Sequence, residues 1–346
     1  MAGAPLLTIV VATYNRPDTL RVAISMAQAQ TFTDWQMLVI GDACAIETGE
    51  TLASIGDRRI RYINLPARSG EQSGPNSVGM ELADTPYLSF LNHDDIWTPD
   101  HLELAVASFD GDTEFYCSRA AFCIETDDAT RPWEFTECSP PERTLGDVFH
   151  RPFYLFEPVS SWTFRTDAAK RVGAWRAATE IHRKPIENWL LRAWRENLHL
   201  TAGKTITVLK PKYLGRGEGV QYSQDSSGLL DLAKLARGDL SILRQRIADD
   251  IIEAIHTGRS RPFWYDFGAL PPDLKEREKT KTPENAAIYK ATGLDAFEEH
   301  CITQDLRTGD DLRCALKGRT GEDLMERPPL EDLISYACNE LSRMKG

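Results

Sequence analysis

Over the first hundred residues, apolar runs ending in polar loops alternate with segments whose apolar residues recur every three or four positions. Residues 6–12 are almost entirely apolar, the pattern of a strand covered on both faces. From Asp18 to Gln30, Leu20, Ala23, Ile24 and Ala27 fall at helical spacing. A second strand at 35–40 ends in Gly41-Asp42-Ala43. A third at 60–64 runs into a Gly-rich loop at 68–75, and a helix over 76–83 feeds a fourth strand beginning at Tyr87. Alternating β and α units, with polar residues at each strand's C-terminal end, predict a doubly wound, mostly parallel sheet.

Beyond a helix from Pro99 to about Phe109, with Thr98 as its N-cap, the pattern becomes mixed. Residues 114–124 alternate weakly and read as a strand pair, and the Pro-, Glu- and Thr-rich stretch 127–143 reads as a loop. A strand is expected at 159–164, a short helix at 167–172 stopped by Gly173, an amphipathic helix at 186–196 and a last strand at 206–209. From about Asp225 strand signals vanish. Leu240, Leu243, Ile247, Ile251 and Ile255 form one helical stripe, and Leu330, Leu333, Ile334, Ala337 and Leu341 another. Both stripes read as core-packing faces of a helical appendage that also permits a homodimer.

The 346 residues suffice for two domains or one large α/β unit with an appendage. With 40 basic and 52 acidic side chains the net charge is −12, which disfavours nucleic acid but not a nucleotide, whose phosphates a few amides or one cation can offset. Seven scattered cysteines without a Cys-x-x-Cys pair read as reduced thiols. No run approaches the roughly 20 apolar residues of a membrane span, so a cytoplasmic protein is expected.

Three polar strand ends carry the candidate chemistry: Thr13-Tyr14-Asn15, Gly41-Asp42, and His93-Asp94-Asp95. In doubly wound sheets this edge binds nucleotides, and two adjacent carboxylates suit a divalent cation held against phosphate oxygens. In order, spacing and flanks these segments resemble the inverting family 2 glycosyltransferases of the GT-A fold. Thr8-Ile-Val-Val-Ala-Thr-Tyr-Asn-Arg-Pro17 is similar to their opening strand and loop. Val39-Ile-Gly-Asp-Ala43 is similar to their second-strand motif, and Leu91-Asn-His-Asp-Asp-Ile-Trp-Thr-Pro-Asp-His-Leu102 to their metal motif. Ser160-Ser-Trp-Thr-Phe-Arg165, Val172-Gly-Ala-Trp175 and Ile186-Glu-Asn-Trp-Leu-Leu-Arg192 resemble the acceptor-side strand, turn and catalytic helix. The likeness covers about residues 5 to 215.

The resemblance implies a nucleotide-sugar-binding half at 1–110, an acceptor-binding half at 111–224 and a helical region at 225–346. It implies transfer of a sugar from a UDP- or TDP-linked donor to a saccharide, natural-product or peptide acceptor. Thr13, Tyr14 and Asn15 would meet the nucleotide, with Tyr14 stacking on the base. Asp42 would accept the imide N–H of uracil or thymine, and Arg68 would reach the base or diphosphate. Asp94, with Asp95, would hold Mn2+ or Mg2+, and His93 would touch the ribose or orient Asp94. The catalytic base, an Asp in similar enzymes, falls on Asn188, so either Glu187 does this work, or Glu180 or His182 in the preceding loop does, or the acceptor needs little help. Asn92 replaces the first Asp of the metal motif, Gly41 the first Asp of the second-strand motif, and Asn76-Ser77 an Arg-Asn pair. A catalytically impaired GT-A-like binding or scaffold protein is the alternative.

Overall fold

The structure, a computed structural model, describes residues 4–128, 130–139, 158–181, 185–212, 226–258 and 328–345. Strands β1 (Leu7–Thr13), β2 (Trp35–Gly41), β3 (Ile60–Asn64) and β4 (Tyr87–Phe90) form a parallel half-sheet in the order β3-β2-β1-β4. The crossovers are α1 (Pro17–Gln28), α2 (Ile46–Ile55) and α3 (Ser73–Leu82). Strands β1 and β2 are buried along almost their whole length because helices cover both faces, whereas β3, with Arg61 and Asn64, is only half-buried. Pro17 starts α1 with its φ already helical, and Gly56, at φ 68°, ends α2. Helix α3 lies almost on β1: a Cβ at Gly79 would sit 2.3 Å from a Val10 methyl.

The remaining elements are β5 (Ile96–Trp97), α4 (His101–Ala107), β6 (Phe115–Glu125), β7 (Trp133–Cys138), β8 (Trp162–Arg165), α5 (Thr166–Val172), α6 (Pro185–Arg195), β9 (Leu200–Pro211), α7 (Ser227–Ala236), α8 (Leu240–His256) and α9 (Leu330–Lys345). The sheet continues from β4 through β8, β6 and β9 to β5, with β7 on β6. Strand β8 runs antiparallel to both β4 and β6. The parallel half and the mixed half are therefore one sheet, continuous across residue 110.

Several boundaries differ from expectation: Val159–Ser161 is a 3-10 turn ahead of β8, and α3 begins at Ser73 within the expected loop. The expected strand pair at 114–124 is the single strand β6. The stretch read as a loop contains β7, whose Trp133 and Phe135 turn inward while Glu134 and Glu137 remain in partial contact with water. Strand β9 begins at Leu200, six residues before Ile206, because pairing with β6 carries it through the polar run Thr201-Ala-Gly-Lys204. Helix α4 begins at His101, not Pro99. The Thr98 N–H is taken by the Thr207 carbonyl at 2.9 Å, and Thr98 Oγ1 donates to Asp100 at 2.6 Å, so Thr98 ends a strand instead of capping a helix.

Trp162, Trp175, Trp189, Phe90, Phe115 and Phe164 make a fully buried aromatic cluster between the sheet and α6. Trp189 stacks on Trp175 with centroids 5.8 Å apart, and its Nε1–H donates to the Gly173 carbonyl at 2.8 Å. The turn stopped by Gly173 (φ 85°) is thereby locked to α6. Both apolar stripes of the C-terminal region dock on this sheet. Leu333, Ala337 and Leu341 of α9 pack on Leu38, Ile40, Ile63, Val78 and Leu82. Leu229, Leu232, Leu243 and Ile247 of α7 and α8 pack on Ile96, Phe135 and Leu209. Asp250 fastens α8 to β7: it pairs with Arg131 and accepts the Phe135 N–H at 3.1 Å.

Candidate active site

The C-terminal ends of β1, β2 and β4 open on one edge of the sheet, and the loops leaving them are tied together. Asn15 and Ala43 both have left-handed backbones, φ 46° and 55°, a conformation that residues with a Cβ adopt at a cost of about 1 kcal/mol or more. Hydrogen bonds hold them there. Asn15 Oδ1 accepts the Ala45 N–H at 2.7 Å, the Asp42 N–H donates to the Thr13 carbonyl at 2.9 Å, and Asn64 both accepts from and donates to the Cys44 backbone.

Asp42 is buried, and its two oxygens accept the N–H groups of Ser69 and Gly70 at 2.7 and 2.8 Å. Burial pushes its carboxyl pKa up, against the opposing pull of these amides and Arg68. Its role within the protein is to fold the 68–75 loop back over the strand ends. That loop sets the Arg68 guanidinium 3.8 Å from the centre of the Tyr14 ring. Gly41 has a steric reason: a Cβ there would lie 2.6 Å from Asn64 Oδ1 and 2.7 Å from the Tyr62 hydroxyl. Among the described residues, buried Thr13 Oγ1 at the end of β1 and Asn76 Nδ2 on α3 have no hydrogen-bond partner.

At the end of β4, His93 Nδ1–H donates to the Ala12 carbonyl at 3.2 Å, and burial lowers its pKa so that the ring is neutral. Asp95 is 0% exposed. One of its oxygens accepts Ser160 Oγ–H at 2.5 Å and Asn92 Nδ2–H at 2.9 Å, while the other faces Lys210 Nζ at 2.6 Å. Lys210 Nζ also lies 3.3 Å from Asp94 Oδ1. Burial works against ionisation of Asp94, but Lys210, His93 and Arg16 outweigh it and hold its pKa below the usual carboxylate range. Burial instead raises that of Asp95.

On the acceptor side, Asn188 is 1% exposed on α6 and accepts Arg192 Nε–H at 3.2 Å. Arg192 also donates to the carbonyls of Val172 and Ala174 at 2.8 and 2.5 Å. The exposed Glu180 accepts the Ala177 N–H at 3.1 Å. His182 lies outside the described residues, and of Glu187 only the backbone, in the first turn of α6, is described. The structure thus brings Thr13, Tyr14, Asn15, Asp42, Arg68, His93, Asp94 and Asp95 to one edge. Sequence reasoning missed Lys210, Ser160, Arg16 and Asn64 there. A lysine just past the run 206–209 was the visible trace of the first, and Ser160 stood inside a quoted motif without a role.

Residues 8–173 match the model of glycosyl transferase family 2. The match takes in just under half of the chain, which over these residues is similar to that family. It is 36% identical over 115 residues to the succinoglycan biosynthesis protein ExoW of Rhizobium meliloti (strain 1021), covering 31% of this chain and 35% of that protein. It is 28% identical over 102 residues to the UDP-Glc:alpha-D-GlcNAc-diphosphoundecaprenol beta-1,3-glucosyltransferase WfgD of Escherichia coli, covering 30% of this chain and 40% of the relative. The chain therefore spans well under half the length of these relatives. The crystal structure of S. aureus TarS 1-349 in complex with UDP-GlcNAc superposes with a TM-score of 0.50 at 16% identity over 79% of each chain, and shows the fold alone: an α/β sheet of GT-A type with C-terminal helices. No helix among the described residues is long and apolar enough to cross a membrane.

The family implies a divalent cation at Asp94, and the residues do not fit one as they are arranged. Both Asp95 oxygens are committed, and Lys210 stands beside the Asp94 oxygen that faces it. A second cation within about 4 Å of Nζ would meet repulsion on the order of several kcal/mol. The motif is also one carboxylate short, since Asn92 donates a hydrogen bond to Asp95 where the family has an acid. Among the described residues, no group of three or more His, Cys, Asp and Glu side chains could hold a metal ion.

Proposed function

We propose that this family 2 domain transfers a sugar, with inversion, from a nucleoside-diphosphate donor, preferentially a UDP-sugar, to a saccharide, natural-product or peptide acceptor. The observation that carries the proposal is the meeting of Tyr14 with Arg68, Asp42, and His93-Asp94 on the C-terminal edge of the parallel strands, where this class of sheet binds nucleotides. Two similar proteins support the donor class: the WfgD relative is named as a UDP-Glc-using glucosyltransferase, and the TarS fold relative was crystallised with UDP-GlcNAc.

In this reading Thr13 and Asn15 frame the nucleotide, and the base rests against the Tyr14–Arg68 pair. Asp42 acts twice. It orders the Arg68 loop through the Ser69 and Gly70 amides, and with its remaining lone pairs it accepts the uracil imide N–H. His93, neutral and with Nδ1–H committed to the Ala12 carbonyl, presents Nε2 as an acceptor for a ribose hydroxyl. Glu187, one position before the buried Asn188, is the base that takes the acceptor's proton, with His182 the next candidate. Asn188 is spoken for by Arg192 and has no proton-accepting capacity at neutral pH.

That asparagine also favours a second reading, a GT-A-like protein that binds the donor without turning it over. Incubation of the purified chain with UDP-glucose or UDP-GlcNAc, with release of UDP measured, separates the two. Release above the protein-free rate supports transfer, here to water. Saturable UDP binding without release supports the second reading, and absence of UDP binding refutes both.

A further inference from the structure

The register of the sheet places a lysine where the family's motif expects a metal ion. Strand β5 pairs antiparallel with β9 through Ile96↔Leu209 and Trp97↔Val208, so Asp95, the residue before Ile96, meets Lys210, the residue after Leu209. Ile96, Trp97, Val208 and Leu209 are all fully buried, and Lys210 is also in register with Phe122 of β6. The position of the lysine is therefore built into the sheet from both sides. Its Nζ lies 2.6 Å from Asp95 and 3.3 Å from Asp94. Arg16, the last residue of the loop between β1 and α1, adds its field to Asp94 as well.

The charges can be counted. Two carboxylates, Asp94 and Asp95, face the Lys210 ammonium, and the positive charge of Arg16 acts on Asp94 as well, so that the two side-chain cations together carry the charge of one divalent ion. Asn92, by standing where an acid is usual, removes the third negative charge that would make room for a metal. The Ser160 hydroxyl holds Asp95 from the opposite side, with Trp97 Nε1–H donated to the Ser160 carbonyl at 2.7 Å, so Asp95 is kept against the lysine.

We propose that Lys210, with Arg16, supplies the positive charge facing the donor diphosphate, so that this protein engages a nucleoside diphosphate without a divalent cation. The inference rests on the donor-binding reading above and deepens it: the leaving diphosphate is balanced by side chains carried in the sheet, and not by an ion drawn from solution. Ammonium and guanidinium groups pair with phosphate oxygens through charge-assisted hydrogen bonds and need no coordination geometry.

Calorimetric titration of UDP into the whole chain, once in EDTA and once in Mn2+, tests this. The expected result is an affinity that differs by less than about threefold between the two buffers. Lys210→Met is expected to weaken binding in EDTA by about tenfold or more, with Mn2+ recovering affinity because Asp94 and Asp95 are released from their ion pairs. Lys210→Arg, which keeps the charge, is expected to retain binding in EDTA, so the proposal remains testable if the Met variant fails to show a folded melting transition. UDP binding by the unsubstituted chain only in Mn2+, or unchanged affinity of a folded Lys210→Met in EDTA, overturns the proposal while leaving the transferase reading intact. No UDP binding in either buffer overturns both.

Discussion

His101 lies fully buried on α4, stacked on Trp97 with ring centroids 4.3 Å apart and with Nδ1 2.7 Å from Thr207 Oγ1. Burial is the main reason its pKa falls to about 3, against 6.5 in the unfolded chain. A histidine whose folded pKa is depressed contributes stability that is complete above the unfolded pKa. That stability is lost as pH falls from about 6.5 towards 3, because only the unfolded chain takes up the proton. Integrated from pH 7.5 to pH 5, one such group removes about 2 kcal/mol, and below pH 6 its slope approaches about 1.4 kcal/mol per pH unit. His93, also depressed by burial, adds loss of the same sign as pH falls below its unfolded pKa. Urea denaturation of the unsubstituted chain and of His101→Phe at pH 7.5, 6 and 5 isolates the His101 share. Phe preserves the stacking on Trp97 and cannot titrate, so the variant's loss between pH 7.5 and 5 should be smaller by about 2 kcal/mol. Equal losses in the two proteins would refute the assignment of a neutral, buried His101.

Glu187→Gln should leave UDP affinity unchanged and lower kcat by about two to four orders of magnitude, measured by UDP release at saturating donor; an unchanged kcat would move the base to His182. Asp250→Ala should cost about 2–3 kcal/mol in urea denaturation. The Phe135 N–H is left buried without its acceptor, while Arg131, 43% exposed, can return to water. A change under 1 kcal/mol would mean α8 is not fastened to β7 in this way. Gly79→Ala should destabilise the chain by about 1–3 kcal/mol, since the new methyl meets Val10 at the α3–β1 approach, and a neutral or stabilising effect would contradict that packing.

The amino-acid order alone carried the repeating β–α architecture and the edge at which the polar residues gather. Those signals are local: an all-apolar strand such as 6–12, Pro17 at a helix start, Gly173 at a helix stop, and Asp94-Asp95 directly after a strand are written within a turn or two of each other. Strand β7 was not legible. Trp133 and Phe135 are only two inward positions within a Pro-, Glu- and Thr-rich stretch, and what makes them a strand is the backbone of β6 beside them. The start of β9 was hidden for the same reason, its polar run being held by pairing rather than by pattern.

The electrostatics of the site belong to the tertiary structure. Asp94 announced itself as a metal ligand by its neighbours in sequence, yet Lys210, 116 residues away, comes to it only because β5 and β9 pair in one register. Asp42 read as a contact for a base, and only the fold shows that its oxygens also order the 68–75 loop through the Ser69 and Gly70 amides. The stripe on α9 fitted either an intrachain packing face or a dimer by pattern alone, and in the fold it docks on β2, β3 and α3. A local pattern states what a residue is able to bury or bind. Which partner reaches it depends on distant segments meeting through strand register and helix docking, and no window along the chain contains both sides of such a contact.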